Sequence, residues 1–276
     1  MMQMINSIKM AWNTMKVTFH LGAPRTGVGS LHSYLSETPV FGTTLWTPEQ
    51  TRNGVFSGLF CDPSKVEMAI EHRGRRSCGR LQVALHDLQA AGQDHLLVSD
   101  PKLLGSAKGF FPNVTERMMR FRDGVRGHSV TLALSVRSYS SFWNSVLGSD
   151  LSTNVTDRLT THPRRWRNVI TDMYRAMPDA QIIVWPFERM VGAPHQLVRV
   201  LTGYQSNSTS RPLVGRSGST NSFSTDQRAC LDAEYAADLD WLRSGASGIA
   251  RFVDTADIDK IVAGPTPLGG PSKARG

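Results

Sequence analysis

Residues 16–31 read KVTFHLGAPRTGVGSL, from Lys16 to Leu31, and the order of their parts decides the fold. Val17, Phe19 and Leu21 alternate with Thr18 and His20 at the period of a strand. Gly22, Gly27 and Gly29 then interrupt the run, and helical spacing begins at Ser30 and extends to Leu35. A strand, a Gly-rich turn and a helix N-terminus in this order make an anion cradle, because unpaired amides and the positive helix end point at the same place. Arg25 adds a fixed charge to the turn, and Thr26 and Ser30 add hydroxyl donors. The ATP-loop pattern G-x-x-x-x-G-K-[ST] fits at Gly22 and Gly27. It then meets Val28 in place of the phosphate-gripping Lys and Gly29 in place of the magnesium-binding hydroxyl.

Working outward, further strand-like runs occur at His95–Ser99, Ser129–Val136 and Ala180–Trp185. Helical periodicity is read at Cys78–Ala91, Thr115–Phe121, Tyr139–Leu147, Pro163–Ala176, Pro194–Leu201 and Asp226–Leu242. Alternating strands and helices need crossovers, which predicts an α/β, P-loop-like three-layer fold with a central mainly parallel sheet flanked by helices. Ligands in such folds bind at the carboxyl ends of the strands. The connections 42–64 and 203–224, rich in Gly, Ser, Thr and Asn, read as surface loops able to cover a site. Residues 1–14 read as a dispensable extension, 15–256 as one domain and the Pro/Gly-rich 257–276 as a flexible tail.

Composition bounds the function. The 276 residues are 40% hydrophobic and 20% charged, enough for one extensive core and incompatible with bulk disorder. The net charge is +8, and 7 Lys among 31 basic residues leave 24 Arg, whose planar fork suits phosphate and sulfate. The run from Glu71 to Arg80 is basic but holds no aromatic on which a base could stack, so a nucleic-acid partner is not expected. It reads as a solvated loop, with docking of an anionic acceptor or of the adenosine end of a nucleotide donor as the sharper alternative. Three widely spaced cysteines, Cys61, Cys78 and Cys230, suggest neither a disulfide framework nor a metal site. No leader-like stretch and no long apolar run is visible, so the expectation is a cytoplasmic chain without a membrane span.

The core Pro24-Arg25-Thr26-Gly27-Val28-Gly29-Ser30-Leu31 resembles the 5′-phosphosulfate loop of sulfotransferases, whose donor is 3′-phosphoadenosine 5′-phosphosulfate (PAPS). A second family element is an Arg that ends a later strand, with a Ser eight positions on in the next helix; Arg137 and Ser145 match it. Segments like LLVSDPKLLG and IIVWPFERM extend the likeness to bacterial sulfotransferase-like proteins over about residues 16–225. The resemblance implies transfer of a sulfuryl group to a hydroxyl or amine acceptor, a carbohydrate or small molecule, without a metal. It assigns donor binding to Gly22, Pro24, Arg25, Thr26, Gly27, Val28, Gly29, Ser30, Leu31, Arg137 and Ser145.

Three positions depart from the family pattern: Val28 and Gly29 replace its two threonines, and Pro101 stands where related sequences carry Glu. Arg25 is the candidate for stabilising the leaving phosphate, and Asp100 and His20 are the candidates for the base. Asp100 also reads as the cap of a short helix starting at Pro101, and His20 as a core histidine. Lys102 is a third group near the site. Trp166 reads as core and Glu188 as a charge at a helix N-terminus. The alternatives are a nucleotide-binding member of the same fold without turnover and a P-loop small-molecule kinase.

Overall fold

The computed structural model describes residues 14–61, 68–204 and 222–254. Its strands are β1 (Lys16–His20), β2 (Thr43–Trp46), β3 (His95–Ser99), β4 (Ser129–Val136), β5 (Gln181–Pro186) and β6 (Arg251–Phe252). The helices are α1 (Val28–Glu37), α2 (Pro48–Arg52), α3 (Met68–Ala90), α4 (Val114–Gly124), α5 (Tyr139–Leu147), α6 (Thr153–Thr160), α7 (Trp166–Ala176), α8 (Phe187–Met190), α9 (Pro194–Thr202) and α10 (Thr225–Arg243). The strands form one sheet in the order β2-β3-β1-β4-β5-β6, and every pair in it is parallel. The three-layer α/β expectation is therefore met.

Alternation along each strand sorts the two faces. Val17, Phe19, Leu96, Val98, Leu132, Leu134, Ile182 and Val184 point into the larger core, with Leu81 and Leu85 of α3, Phe121 of α4, Phe142 of α5 and Ile170 of α7. Leu97, Ala133, Ile183 and Trp185 point the other way, onto Leu31 and Leu35 of α1 and Leu197 and Leu201 of α9. This second face also carries polar groups. Thr18 and His95 are both buried and share a 2.9 Å hydrogen bond, which satisfies polar atoms that would otherwise destabilise the layer.

The topology places the site. From β1 the chain runs to the far edge of the sheet at β2, whereas from β4 it runs to β5 on the opposite side. The carboxyl ends of β1 and β4 thus flank the crevice where α/β sheets bind ligands. Gly22, just past β1, has φ of 87°, and a Cβ there would lie 2.8 Å from Cβ of Pro101. Glycine is what lets the turns after β1 and β3 approach each other.

Two readings of the sequence need correction. The connection 42–64 is not a plain surface loop: it holds β2 and α2, and Phe56 and Leu59 have no exposure. Its signal was weak because β2 is a four-residue edge strand, half-buried throughout. The basic run Glu71–Arg80 is not a loop but part of α3, which buries Ser77, Leu81 and Leu85 at spacings of four. Gly74 and Gly79 hide that helix from a propensity reading. Residues 205–221 of the expected loop 203–224, residues 1–13 of the expected extension 1–14 and the whole expected tail 257–276 lie outside the described residues. No helix among the described residues is long and apolar enough to cross a membrane.

Replacing Gly22 by Ala combines a positive φ with the close approach to Pro101. Gly22→Ala is expected to lower the unfolding free energy by about 1–3 kcal/mol, read as a reduced urea midpoint at unchanged slope.

Candidate active site

The turn after β1 is built by backbone pairing that continues beyond the strand. Leu21 N donates to Ala133 O and Ala23 N to Ser135 O, both at 2.9 Å, while Ser135 N donates to Gly22 O at 2.6 Å. Thr26 Oγ1 donates to Ala23 O at 2.6 Å and closes the loop on itself. Thr26 is accordingly buried, and Arg25 is exposed in the left-handed region at φ of 60°. Gly27 caps α1 at φ of 79°, so Val28, Gly29 and Ser30 supply first-turn amides that a helix leaves without internal partners. A Cβ at Gly27 or Gly29 would meet nothing within 4 Å, so the mouth of the cradle is open.

Arg137 follows β4 directly, and its side chain is fixed from several directions. Nε donates to Ser141 Oγ at 2.8 Å, and one terminal nitrogen donates to Ser145 Oγ at 3.2 Å and to Arg25 O at 3.3 Å. The guanidinium lies 5.1 Å from the centre of the Phe187 ring. The structure thus brings the loop, Arg137 and Ser145 together, although 112 residues separate Arg25 from Arg137. Ser141 was not singled out from the sequence; its place one helical turn before Ser145 was the available signal.

The backbone around Arg137 is framed by groups whose roles were invisible in the sequence. Trp166, fully buried as expected, donates its indole N–H to Arg137 O at 2.8 Å. Glu188 does more than charge a helix start: its carboxylate accepts from Ser138 N and from the Tyr235 hydroxyl, each at 2.9 Å. Tyr139 donates its hydroxyl to Asp238 and accepts from Trp166 N at 2.8 Å. Burial pushes the pKa of Tyr139 up, and the adjacent Asp238 carboxylate pushes it further in the same direction.

The two candidate bases are buried. Asp100 has no exposure: Thr51 Oγ1 and Arg52 Nε each donate to Oδ2 at 2.9 Å, and Arg52 NH2 and Lys102 N donate to Oδ1 at 2.7 and 2.9 Å. Residues 101–104 are turns, so the cap at Asp100 starts no helix. His20 is also fully buried, with Nδ1 on Ser99 Oγ at 2.9 Å, its ring stacked 5.8 Å from that of Trp185, and Nε2 without a partner. His32 Nε2 meets the same Ser99 hydroxyl at 2.9 Å. One hydroxyl donates to a single acceptor, so at least one of the two imidazoles donates to it. Desolvation lowers the pKa of His20 to about 3 and, aided by His32, keeps it neutral; the pKa of His32 is lowered as well, again by burial first.

A cavity of about 730 Å³ opens beside the loop. Pro24, Arg25, Arg52, Pro101, Lys102, Arg117 and Ser145 contribute to its wall, and neither Asp100 nor His20 does. Compared with known proteins, the chain matches no family model and no curated sequence.

His20 and His95, the latter lowered to about 4 by burial, take up protons in the unfolded chain near 6.5 but resist them when folded. The unfolded state then binds more protons between these values, so stability is full above pH 6.5 and lost as the pH falls. Urea unfolding at pH 7, 5.5 and 4.5 is expected to show a decline of up to about 1.4 kcal/mol per pH unit for each histidine, reduced in His95→Gln.

Proposed function

We propose that the protein is a sulfotransferase that uses PAPS as donor. The observation that carries this reading is the convergence of the loop at residues 22–31 with Arg137 and Ser145 at the β1/β4 crevice. An isolated anion cradle serves any phosphate; a second cationic fork held beside it suits a nucleotide with phosphates on both sides of its ribose. The site is compatible with such a donor: α1 presents amides into open space at Gly27 and Gly29, and among the described residues no carboxylate forms an ion pair with Arg25 or Arg137.

In the reaction, the bond from sulfur to the donor's 5′-phosphate oxygen breaks and its electron pair stays on that oxygen. A new bond forms between sulfur and the acceptor oxygen or nitrogen, whose proton leaves. Arg25 and the α1 amides stabilise the charge gathering on the departing phosphate. Arg137, with Ser145, holds the 3′-phosphate. Asp100, bound by Arg52, and His20, closed off from the cavity, act as positioning groups, and the acceptor proton passes to solvent in the open cavity. The same occupation of Asp100, with Val28 and Gly29 in the loop, favours as second reading a donor-binding protein without turnover; a transfer assay separates the two. A kinase is disfavoured by Val28 at the lysine position.

The product 3′-phosphoadenosine 5′-phosphate should bind at least tenfold more tightly than AMP, because a charge-assisted contact contributes about 1.5–3 kcal/mol. Arg137→Ala should abolish that difference in a calorimetric titration; equal affinities in the parent protein would sink the assignment.

Gly29 lies in α1 outside the positive-φ glycines, with open space where a Cβ would stand. Val28→Thr with Gly29→Thr is therefore expected to be accommodated, each hydroxyl adding about 1 kcal/mol, so that the single Val28→Thr tightens donor binding about fivefold and the double variant about thirtyfold. Unchanged affinity in the single and double variants would mean that these positions do not face the donor.

A further inference from the structure

The start of α1 carries the amides of the anion cradle, yet it is not fastened where it begins. Its cap is Gly27, which makes no side-chain hydrogen bond to the first turn, and that turn holds no acidic residue. A helix start without a side-chain cap leaves its position to contacts further along the helix. Leu31 and Leu35 bury the apolar stripe of α1 against the sheet, a force without direction. The directional contact comes from His32, one turn after Val28 on the same face.

Nε2 of His32 lies 2.9 Å from Oγ of Ser99, the last residue of β3, and the same hydroxyl lies 2.9 Å from Nδ1 of His20, the last residue of β1. Ser99 and His20 are partners in the parallel ladder, and neither has any exposure. A bond from α1 to this hydroxyl is therefore a bond to the sheet. Burial holds the His32 imidazole below its ordinary pKa and so neutral, and a neutral ring can accept or donate at Nε2. Ser99 also stands directly before Asp100 and the turn whose Pro101 and Lys102 face the cavity, so the joint lies between the donor loop and that turn.

On the reading that the loop receives the donor's phosphosulfate, we propose that His32 is a positioning residue for that donor: through Ser99 it sets where the first-turn amides of α1 stand relative to the ends of β1 and β3. His32 acts through the helix and not by contact with the phosphate. Amides held in place beforehand bind an anion without a further cost of ordering, which is the advantage of a cradle built on a fixed helix.

Ser99 itself is the wrong residue to replace, because Nε2 of His20 has no partner and loss of the hydroxyl would strand both imidazoles. Replacements of His32 separate the effects, with calorimetry on the full chain using 3′-phosphoadenosine 5′-phosphate and, separately, inorganic pyrophosphate. His32→Leu is expected to weaken both ligands about tenfold, the loss that follows from one hydrogen bond. His32→Gln, whose amide reaches as far as Nε2 and can accept or donate, should recover most of that loss, while the shorter His32→Asn should not. The inference is overturned if His32→Leu binds both ligands as the parent does, if His32→Asn restores affinity as well as His32→Gln, or if affinity merely follows the urea midpoint across the variants. The parent chain supplies a measurement that needs no variant: long-range proton–nitrogen NMR should show His32 in a single tautomer before any ligand is added, and an averaged pattern, the mark of a ring that Ser99 does not hold, overturns the inference as well. Binding of pyrophosphate with no preference for the bisphosphate nucleotide over AMP refutes the donor reading alone and leaves the role of His32 measured on pyrophosphate; binding of neither ligand refutes both.

Discussion

Pairing between β1 and β4 continues for several residues beyond the end of β1. Hydrogen bonds through Leu21, Gly22 and Ala23 to Ala133 and Ser135 carry the Gly-rich turn along the side of the strand that ends in Arg137. A parallel ladder fixes register residue by residue, so the position of Arg25 relative to Arg137 is set by backbone geometry and not by a flexible loop. The site inherits the rigidity of the sheet. Gly22 is the point where this arrangement is most sensitive, since the ladder, the positive φ and the approach of Pro101 all meet there.

A second layer of constraint holds Arg137 itself. Its carbonyl is taken by Trp166, the next amide by Glu188 and its side chain by Ser141, Ser145 and the Arg25 carbonyl. Burial lowers the pKa of Arg137, an effect opposed by Glu188 and reinforced by Arg25. The guanidinium is half-buried there, with the Glu188 carboxylate and the Arg25 cation acting on it in opposite directions. The hydrogen bonds to Ser141, Ser145 and the Arg25 carbonyl fix the orientation of that guanidinium. The network through Tyr139, Asp238 and Tyr235 ties this corner to α10, a helix that contributes nothing to the cavity wall.

The sequence disclosed the parts governed by strong periodicity. β3 and β4 have the limits expected from their apolar runs, and α5 matches from Tyr139 to Leu147, because each is buried on a continuous face. Weak elements were lost for identifiable reasons. β2 and β6 are short edge strands, and α6, with polar Thr and Asn filling its first turn, shows little apolar stripe. Within the candidate site, Gly22–Leu31 was legible as a strand, a Gly-rich turn and a helix start, whereas Arg137 and Ser145 were singled out only through the family resemblance. Arg52 and Arg117 were not: they reach the cavity from α2 and α4, and only tertiary packing brings them to the turn after β3.

Asp100 shows how that packing changes a residue's chemistry. Read from sequence, an acid at the carboxyl end of a central strand is a natural base. In the fold it accepts from Thr51, from both nitrogens of the Arg52 fork and from the amide of Lys102, and has no surface left for an acceptor. A carboxylate acting as base must give up such donors to take a proton, and each charge-assisted bond relinquished costs about 1.5–3 kcal/mol. The same bonds orient Arg52 toward the cavity and anchor the turn bearing Lys102. Asp100 therefore shapes the positive wall from behind while remaining shielded from it. The polarity of the wall is the consequence: the acid is turned inward, and Arg52 and Lys102 stand at the cavity in front of it.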